Sequence, residues 1–244
     1  MALTILSIVM IATTGCNKTD DPNNGNGGGN GGNTYNGHAY VDLGLPSGTL
    51  WATCNVGADA PEDYGDYFAW GETLPNGVYD CNTYQYFNLN DWPFEITKYC
   101  TYCTDYEFGY NGFIDNLTTL LSEDDAATAN WGNGWLMPTK EQCMELLEYT
   151  ASTETMLNGV NGMLLTGANG NSIFLPFAGW YIDDDGVEGG ELYGVRRYYT
   201  FWSSSLNFNG PYCAWGVKLE NGYYRAVSLG REGGSSIRPV RSAN

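Results

Sequence analysis

Apolar residues along the chain come in short runs broken by polar residues and glycines, and sustained helical periodicity is scarce. Runs of this length, bounded by turn residues, predict strands at Leu50–Cys54, Tyr67–Trp70, Gly162–Leu165, Ser172–Leu175 and Tyr199–Ser203. The clearest pair lies near the C-terminus. Trp215, Val217 and Leu219 alternate with Ala214, Gly216 and Lys218, Asn221-Gly222 offers a turn that favours positive φ, and Tyr223–Leu229 returns as the second strand. Two segments predict helices instead. Thr139 is an N-cap with Gln142 as its capping-box partner, and Cys143, Leu146 and Leu147 then share one face of a helix running to about Tyr149. Ser122-Glu-Asp-Asp-Ala-Ala127 opens a shorter one, with acids favoured in its first turn, which stops before Gly132. The pattern predicts an α+β fold of short, mostly antiparallel strands with two short helices and long loops. It shows no fixed-period repeat, so a propeller or solenoid is not expected.

The N-terminus departs from this pattern. Residues 1–15 form an uncharged apolar stretch too short to span a bilayer, which reads as a secretory signal peptide. Thr13, Thr14 and Gly15 stand directly before Cys16, an arrangement suited to cleavage by a lipoprotein signal peptidase, and predict lipidation at Cys16. A cysteine carrying more than one acyl chain anchors stably. Residues 16–34, rich in Gly and Asn, have almost nothing apolar to bury and predict a flexible spacer. Residues 35–244 remain for one domain of ordinary size.

Charge and composition then narrow the function. The chain has 28 acidic and 10 basic residues, a formal charge of −18, which repels phosphate backbones and argues against nucleic-acid partners. Seven of the ten bases, Arg196, Arg197, Lys218, Arg225, Arg231, Arg238 and Arg241, fall in the last fifty residues; they read as a solvated surface or as a specialised C-terminal face. Six cysteines remain beside Cys16 and allow fifteen pairings. Cys100-Thr-Tyr-Cys103 has the gap of a zinc half-site but no second such pair, and His38 is the only histidine, so a local disulfide or two thiols is the expectation and no metal or cofactor is predicted. Hydrolytic triads and histidine-dependent metal sites lack a candidate base, so the chain is expected not to be an enzyme. Asp183-Asp-Asp-Gly-Val-Glu188, with Glu191 beyond, gathers oxygen ligands without EF-hand spacing and reads as a solvated acidic turn, with Trp180 and Tyr181 beside it able to stack on a sugar or to fill the core.

An ordered set of segments carries a resemblance. Tyr40-Val-Asp-Leu-Gly-Leu-Pro-Ser-Gly-Thr-Leu-Trp51-Ala-Thr-Cys54-Asn-Val-Gly57, Tyr64-Gly-Asp-Tyr-Phe-Ala-Trp70-Gly-Glu-Thr73, Asp124-Asp-Ala-Ala127, Gly134-Trp-Leu-Met-Pro-Thr139, Asn171-Ser-Ile-Phe-Leu-Pro176, Phe201-Trp-Ser-Ser-Ser205 and Ser236-Ile-Arg-Pro-Val240 resemble the Fibrobacter succinogenes major paralogous domain of Bacteroidetes surface lipoproteins. The resemblance spans nearly the whole domain and implies a C-type-lectin-like fold, in the variant shared with formylglycine-generating enzymes and with receptors diversified by retroelements. It departs at Leu136, where the family pattern usually carries Arg, which implies the loss of a buried ion pair. Formylglycine-generating activity is not implied, because only Cys213 lies where those enzymes carry two cysteines. The acids that follow Cys16 resemble the export signal of outer-leaflet lipoproteins, which implies an outer-membrane, cell-surface location with the membrane touched only through the lipid.

In the diversified receptors the ligand-facing stretch runs from the Trp-Ser-Ser motif to the terminal Arg-Pro-Val motif, here Trp202 to Val240. Within that window Trp202, Trp215, Val217 and Leu219 are expected in the framework. Asn207, Phe208, Asn209, Tyr212, Cys213, Tyr223, Arg225, Ser228, Gly230 and Glu232 are expected to face a protein or glycan ligand, since Tyr and Arg anchor contacts while Ser, Gly and Asn adapt around them. The alternatives are a carbohydrate-active enzyme or accessory subunit of the envelope, for which two facing carboxylates would be needed, and a structural component of a surface layer.

Overall fold

A computed structural model of the chain describes residues 33–89, 95–101, 113–182, 190–220 and 223–243. The signal segment, Cys16, most of the spacer, Cys103, the acidic turn 183–188 and the Asn221-Gly222 turn lie outside the described residues.

Strands β1 (Asn33–Tyr35), β2 (His38–Asp42) and β3 (Leu50–Ala52) pair in order with β14 (Val240–Arg241), which joins the two ends of the domain in one antiparallel sheet. β1 begins two residues inside the expected spacer because Asn33 and Thr34 pair with Tyr40 and Ala39. Between these ends lie a small pair, β4 (Phe87–Asn88) and β5 (Glu95–Ile96), then helices α1 (Ala126–Trp131) and α2 (Lys140–Glu148). A meander follows, β6 (Thr150–Leu157), β7 (Val160–Gly167) and β8 (Ser172–Pro176), and then the pair β9 (Trp180–Ile182) and β10 (Glu191–Tyr193). Last comes the sheet β11 (Tyr198–Leu206), β12 (Cys213–Glu220) and β13 (Tyr223–Gly230), in that order and antiparallel. The chain is an α+β protein of small, mostly antiparallel sheets with two short helices.

Local chemistry accounts for the helices. Thr139 accepts from the Gln142 amide while the Gln142 side chain accepts from the Thr139 amide, so the predicted capping box is present, and α2 buries Cys143, Leu146 and Leu147 as expected. The Ser122 segment is not one helix but two pieces. Residues Ser122–Asp124 form a 3₁₀ turn, and Asp125 then adopts an extended backbone so that its carboxylate can accept from Thr128 and Met137. α1 starts after that cap and stops at Gly132, whose φ is 86°.

Strand β11 divides the interior. Tyr199 and Phe201 pack into one core with Trp51, Leu147, Met163 and Leu219, whereas Trp202 and Leu206 pack into another with Trp70, Trp131 and Trp135. A fully buried arginine is tied into each side. Arg238 donates to Asn55 Oδ1 and to the carbonyls of Ala52 and Phe174; Arg231 is bonded in the same manner near Trp70.

Two expectations are corrected. Tyr67–Trp70 is extended but forms no ladder, because its neighbour is the turn 231–235; Phe68 exchanges two backbone bonds with Ser235, and Trp70 donates to the Arg231 carbonyl. Trp215 does not join Val217 and Leu219 in the core. It sits half-buried at the rim, where the Lys140 ammonium lies 3.3 Å above its ring. Leu136, where the resembling pattern carries Arg, is 48 % exposed.

Candidate functional site

The β11–β13 sheet presents two faces, because successive side chains on a strand point to opposite sides. Tyr199, Phe201, Val217 and Leu219 belong to the face covered by the α2 core, and Trp215, Ser228 and Gly230 continue that face toward the loop between β11 and β12. Trp202, Ala214 and Leu229 belong to the other face, which continues through Lys218, Glu220, Tyr223 and Arg225 toward the hairpin tip. Arg225 and Ser228 are therefore on opposite faces, and the ten predicted residues do not form one patch.

The first group gathers at the loop end. Asn207 donates its amide to Ser228 Oγ at 2.8 Å, and its backbone N–H donates to the Cys213 carbonyl. The Asn207 side chain also accepts from the Asn209 amide, which folds the loop tightly and leaves Phe208 57 % exposed. Burial pushes the Cys213 thiol pKa up, against a hydrogen bond with Ser228 that lowers it. Tyr212 is half-buried beside it, its carbonyl held by the Arg231 amide.

The second group forms the hairpin tip. Tyr223 pairs with Glu220, Arg225 pairs with Lys218, and Tyr223 is 81 % exposed. Lys218, Glu220, Tyr223, Tyr224 and Arg225 line a concavity of about 420 Å³. Lys218 is held in place twice, by Glu220 at 2.9 Å and by the rings of Tyr198 and Trp180, whose centroids lie 4.1 and 4.9 Å from its ammonium. The hydrogen bond from Lys218 keeps the Glu220 carboxyl below the ordinary glutamate pKa. Tyr193 meets Trp180 edge-on and stacks on Tyr198, and Trp180 lies tilted against Tyr198, so the three rings support this floor. Lys218, Glu220 and Tyr224 were not among the residues expected to face a ligand, although the alternation of Lys218 and Glu220 with the core residues Val217 and Leu219 marks them as outward-facing.

Gly230 and Glu232 fall in neither group. They line a separate cavity of about 140 Å³ with Trp180, Tyr181, Trp202 and Leu229. The C-terminal basic residues divide as well. Arg231 and Arg238 are completely buried and Arg241 stacks on Tyr35 at 3.9 Å, so three of the seven serve packing and not a charged face.

The buried carboxylates are committed to structure. Asp125 caps α1 and accepts from Met137, and burial raises its pKa against those donors. Asp124 accepts from Lys98 Nζ at 2.5 Å and from the Tyr99 hydroxyl. Among the described residues no group of three His, Cys, Asp or Glu stands close enough to hold a metal ion. His38 stacks on Trp131 with centroids 3.8 Å apart.

No protein-family model, curated protein or solved structure matches the chain.

Proposed function

We propose that this chain is a cell-surface lipoprotein, anchored through Cys16, whose C-type-lectin-like domain binds a protein or glycan ligand on its C-terminal hairpin. The observation that carries the reading is the hairpin concavity, where Tyr223 and Tyr224, 81 % and 40 % exposed, stand beside Arg225 and a Lys218 immobilised on two rings. Exposed tyrosines flanking a fixed cation supply large contact area and charged donors at small entropic cost. The motifs behind the resemblance support the same reading: Trp51, Trp70, Trp135, Trp202 and Arg238 are fully buried, the behaviour of a framework that leaves the hairpin free to specify a ligand. The α+β arrangement is compatible with the lectin-like fold, and the glycine spacer suits display away from the membrane.

The test is binding of the purified protein to arrays of polysaccharides and of surface proteins. Tyr223→Ala and Arg225→Ala are expected to weaken capture of whatever the wild type retains by at least about tenfold. Undiminished capture by both variants would remove the hairpin from the site.

A further inference from the structure

The hairpin concavity has a charge pattern that folding alone does not explain. Register sets Lys218 of β12 directly opposite Arg225 of β13, and Glu220 directly opposite Tyr223, so that all four belong to one face of the sheet. Like charges facing each other across a strand pair cost stability. Glu220 relieves one of the two, since its carboxylate holds the Lys218 ammonium at 2.9 Å. Arg225 reaches the same carboxylate only through its field, a smaller effect than that of Lys218, and among the described residues it forms no ion pair. Two cations and one carboxylate therefore line the concavity, a local positive excess in a chain of charge −18. Arg197, exposed and with its guanidinium carbon 5.4 Å from the Tyr198 centroid, adds a further cation on a ring that Lys218 also contacts.

An anion from outside would balance Arg225, and the surroundings narrow its class. A guanidinium presents its donors as a planar fork that matches the paired oxygens of a carboxylate or a sulfate. Beside it Tyr223, 81 % exposed, offers an aromatic face of the kind on which the C–H face of a sugar ring packs. Size points the same way. A cavity of about 150 Å³ holds one six-membered ring, so about 420 Å³ gives room for two sugar rings. A protein partner engages about 20–30 residues on each side, far more than the five that line this concavity. The overall charge repels a long polyanion. What fits is a short stretch of glycan with an acidic group on one ring.

We infer, resting on the hairpin reading above, that the concavity binds an acidic sugar, with the ring on Tyr223 and the carboxylate or sulfate on Arg225 and Lys218. Digalacturonate and neocarrabiose 4-sulfate, titrated side by side into the purified protein by calorimetry and ligand-observed NMR, represent the carboxylated and the sulfated sugar. Saturable binding of at least one, at about 1 mM or tighter, is expected, and the tighter of the two gives the acidic group. The dimethyl ester of digalacturonate, which keeps both rings and loses both charges, should bind at least about tenfold more weakly, as should digalacturonate to Arg225→Gln. Glu220→Gln should tighten the acidic sugars by about threefold, because it removes the competing carboxylate while the rings of Tyr198 and Trp180 still hold Lys218; a poorly folded variant could not produce that gain. Equal binding of the ester, no saturation by about 50 mM, no gain in Glu220→Gln, or equally tight binding of the peptide tetraglutamate would overturn the assignment. If Tyr223→Ala lost a ligand captured on the arrays while neither acidic sugar bound the wild type, the acidic-sugar assignment would fall and the hairpin site would stand. If the acidic sugars bound Tyr223→Ala and Arg225→Gln as they bind the wild type, the hairpin site itself would fall.

Discussion

Arg225 and Arg231 are six residues apart, yet they belong to two different kinds of structure. Arg231 is fully buried: its Nε donates to the Tyr84 hydroxyl and its terminal nitrogens donate to the carbonyls of Lys98, Tyr99 and Pro211. Five aromatic rings surround it, with centroids 5.0 to 5.9 Å from the guanidinium carbon. None of these acceptors is a carboxylate; carbonyl dipoles and ring faces replace the lost water. Arg225 lies in solvent at the hairpin tip, beside Lys218 and among exposed tyrosines. The same residue types, Arg with Tyr, thus make a core at one end of β13 and a candidate recognition surface at the other. Position relative to distant carbonyls decides which, not composition.

Arg231→Met gives the sharpest test of that contrast. It leaves the Tyr84 hydroxyl and three carbonyls without their donor inside the protein, and it is expected to cost about 3–5 kcal/mol in urea unfolding, since each abandoned buried polar group costs about 1–3 kcal/mol. A loss below about 1 kcal/mol would mean that the buried arginine is not what holds this end together.

Asp124→Asn probes the same end at one remove. Lys98 and Tyr99, whose carbonyls receive Arg231, also donate their side chains to Asp124. Burial works to raise the Asp124 pKa, but the hydrogen bonds from Lys98 and Tyr99 outweigh it and hold the carboxyl below the ordinary 3.8. A carboxyl depressed on folding stabilises above its unfolded pKa, and that contribution is lost as pH falls through the lower folded value. The variant should therefore cost about 1.5–3 kcal/mol at pH 7. Its deficit should shrink once the pH drops below 3.8. A deficit that stayed constant from neutral pH into acid would contradict the charge-assisted network.

The smallest effect belongs to the exposed end. Tyr223→Ala and Arg225→Ala should each shift the unfolding free energy by no more than about 0.5 kcal/mol, as exposed substitutions do. A loss of about 2 kcal/mol from either would erase the distinction between the two ends.

How much of this was legible depends on how far each feature reaches along the chain. The α2 cap was readable because Thr139 and Gln142 are three residues apart and satisfy each other. The β12–β13 pairing was readable from alternation, and Glu220 does pair with Tyr223. Strand β6 was missed because it is a mostly polar edge strand, although Asn158-Gly159, both at positive φ, announced its hairpin with β7. Trp215 was placed in the core by strand period alone, which cannot tell where the covering helix ends and Lys140 takes over. The candidate site was legible at Tyr223 and Arg225, whereas Lys218 stood only among the C-terminal basic residues, open to either reading, and Glu220 carried no expectation.

By itself the sequence determined what short-range chemistry controls: the α2 capping box, the hairpin and the acidic charge. Tertiary structure decided the burial of Arg231 and Arg238 and the division of the ten predicted residues among the loop end, the hairpin tip and the second cavity. The reason is sequence separation. Arg231 finds acceptors 132 and 133 residues away at Tyr99 and Lys98, and Arg238 finds its own 183 and 186 residues away at Asn55 and Ala52. No local pattern encodes a partner at that distance; only the packed chain brings the carbonyl to the guanidinium.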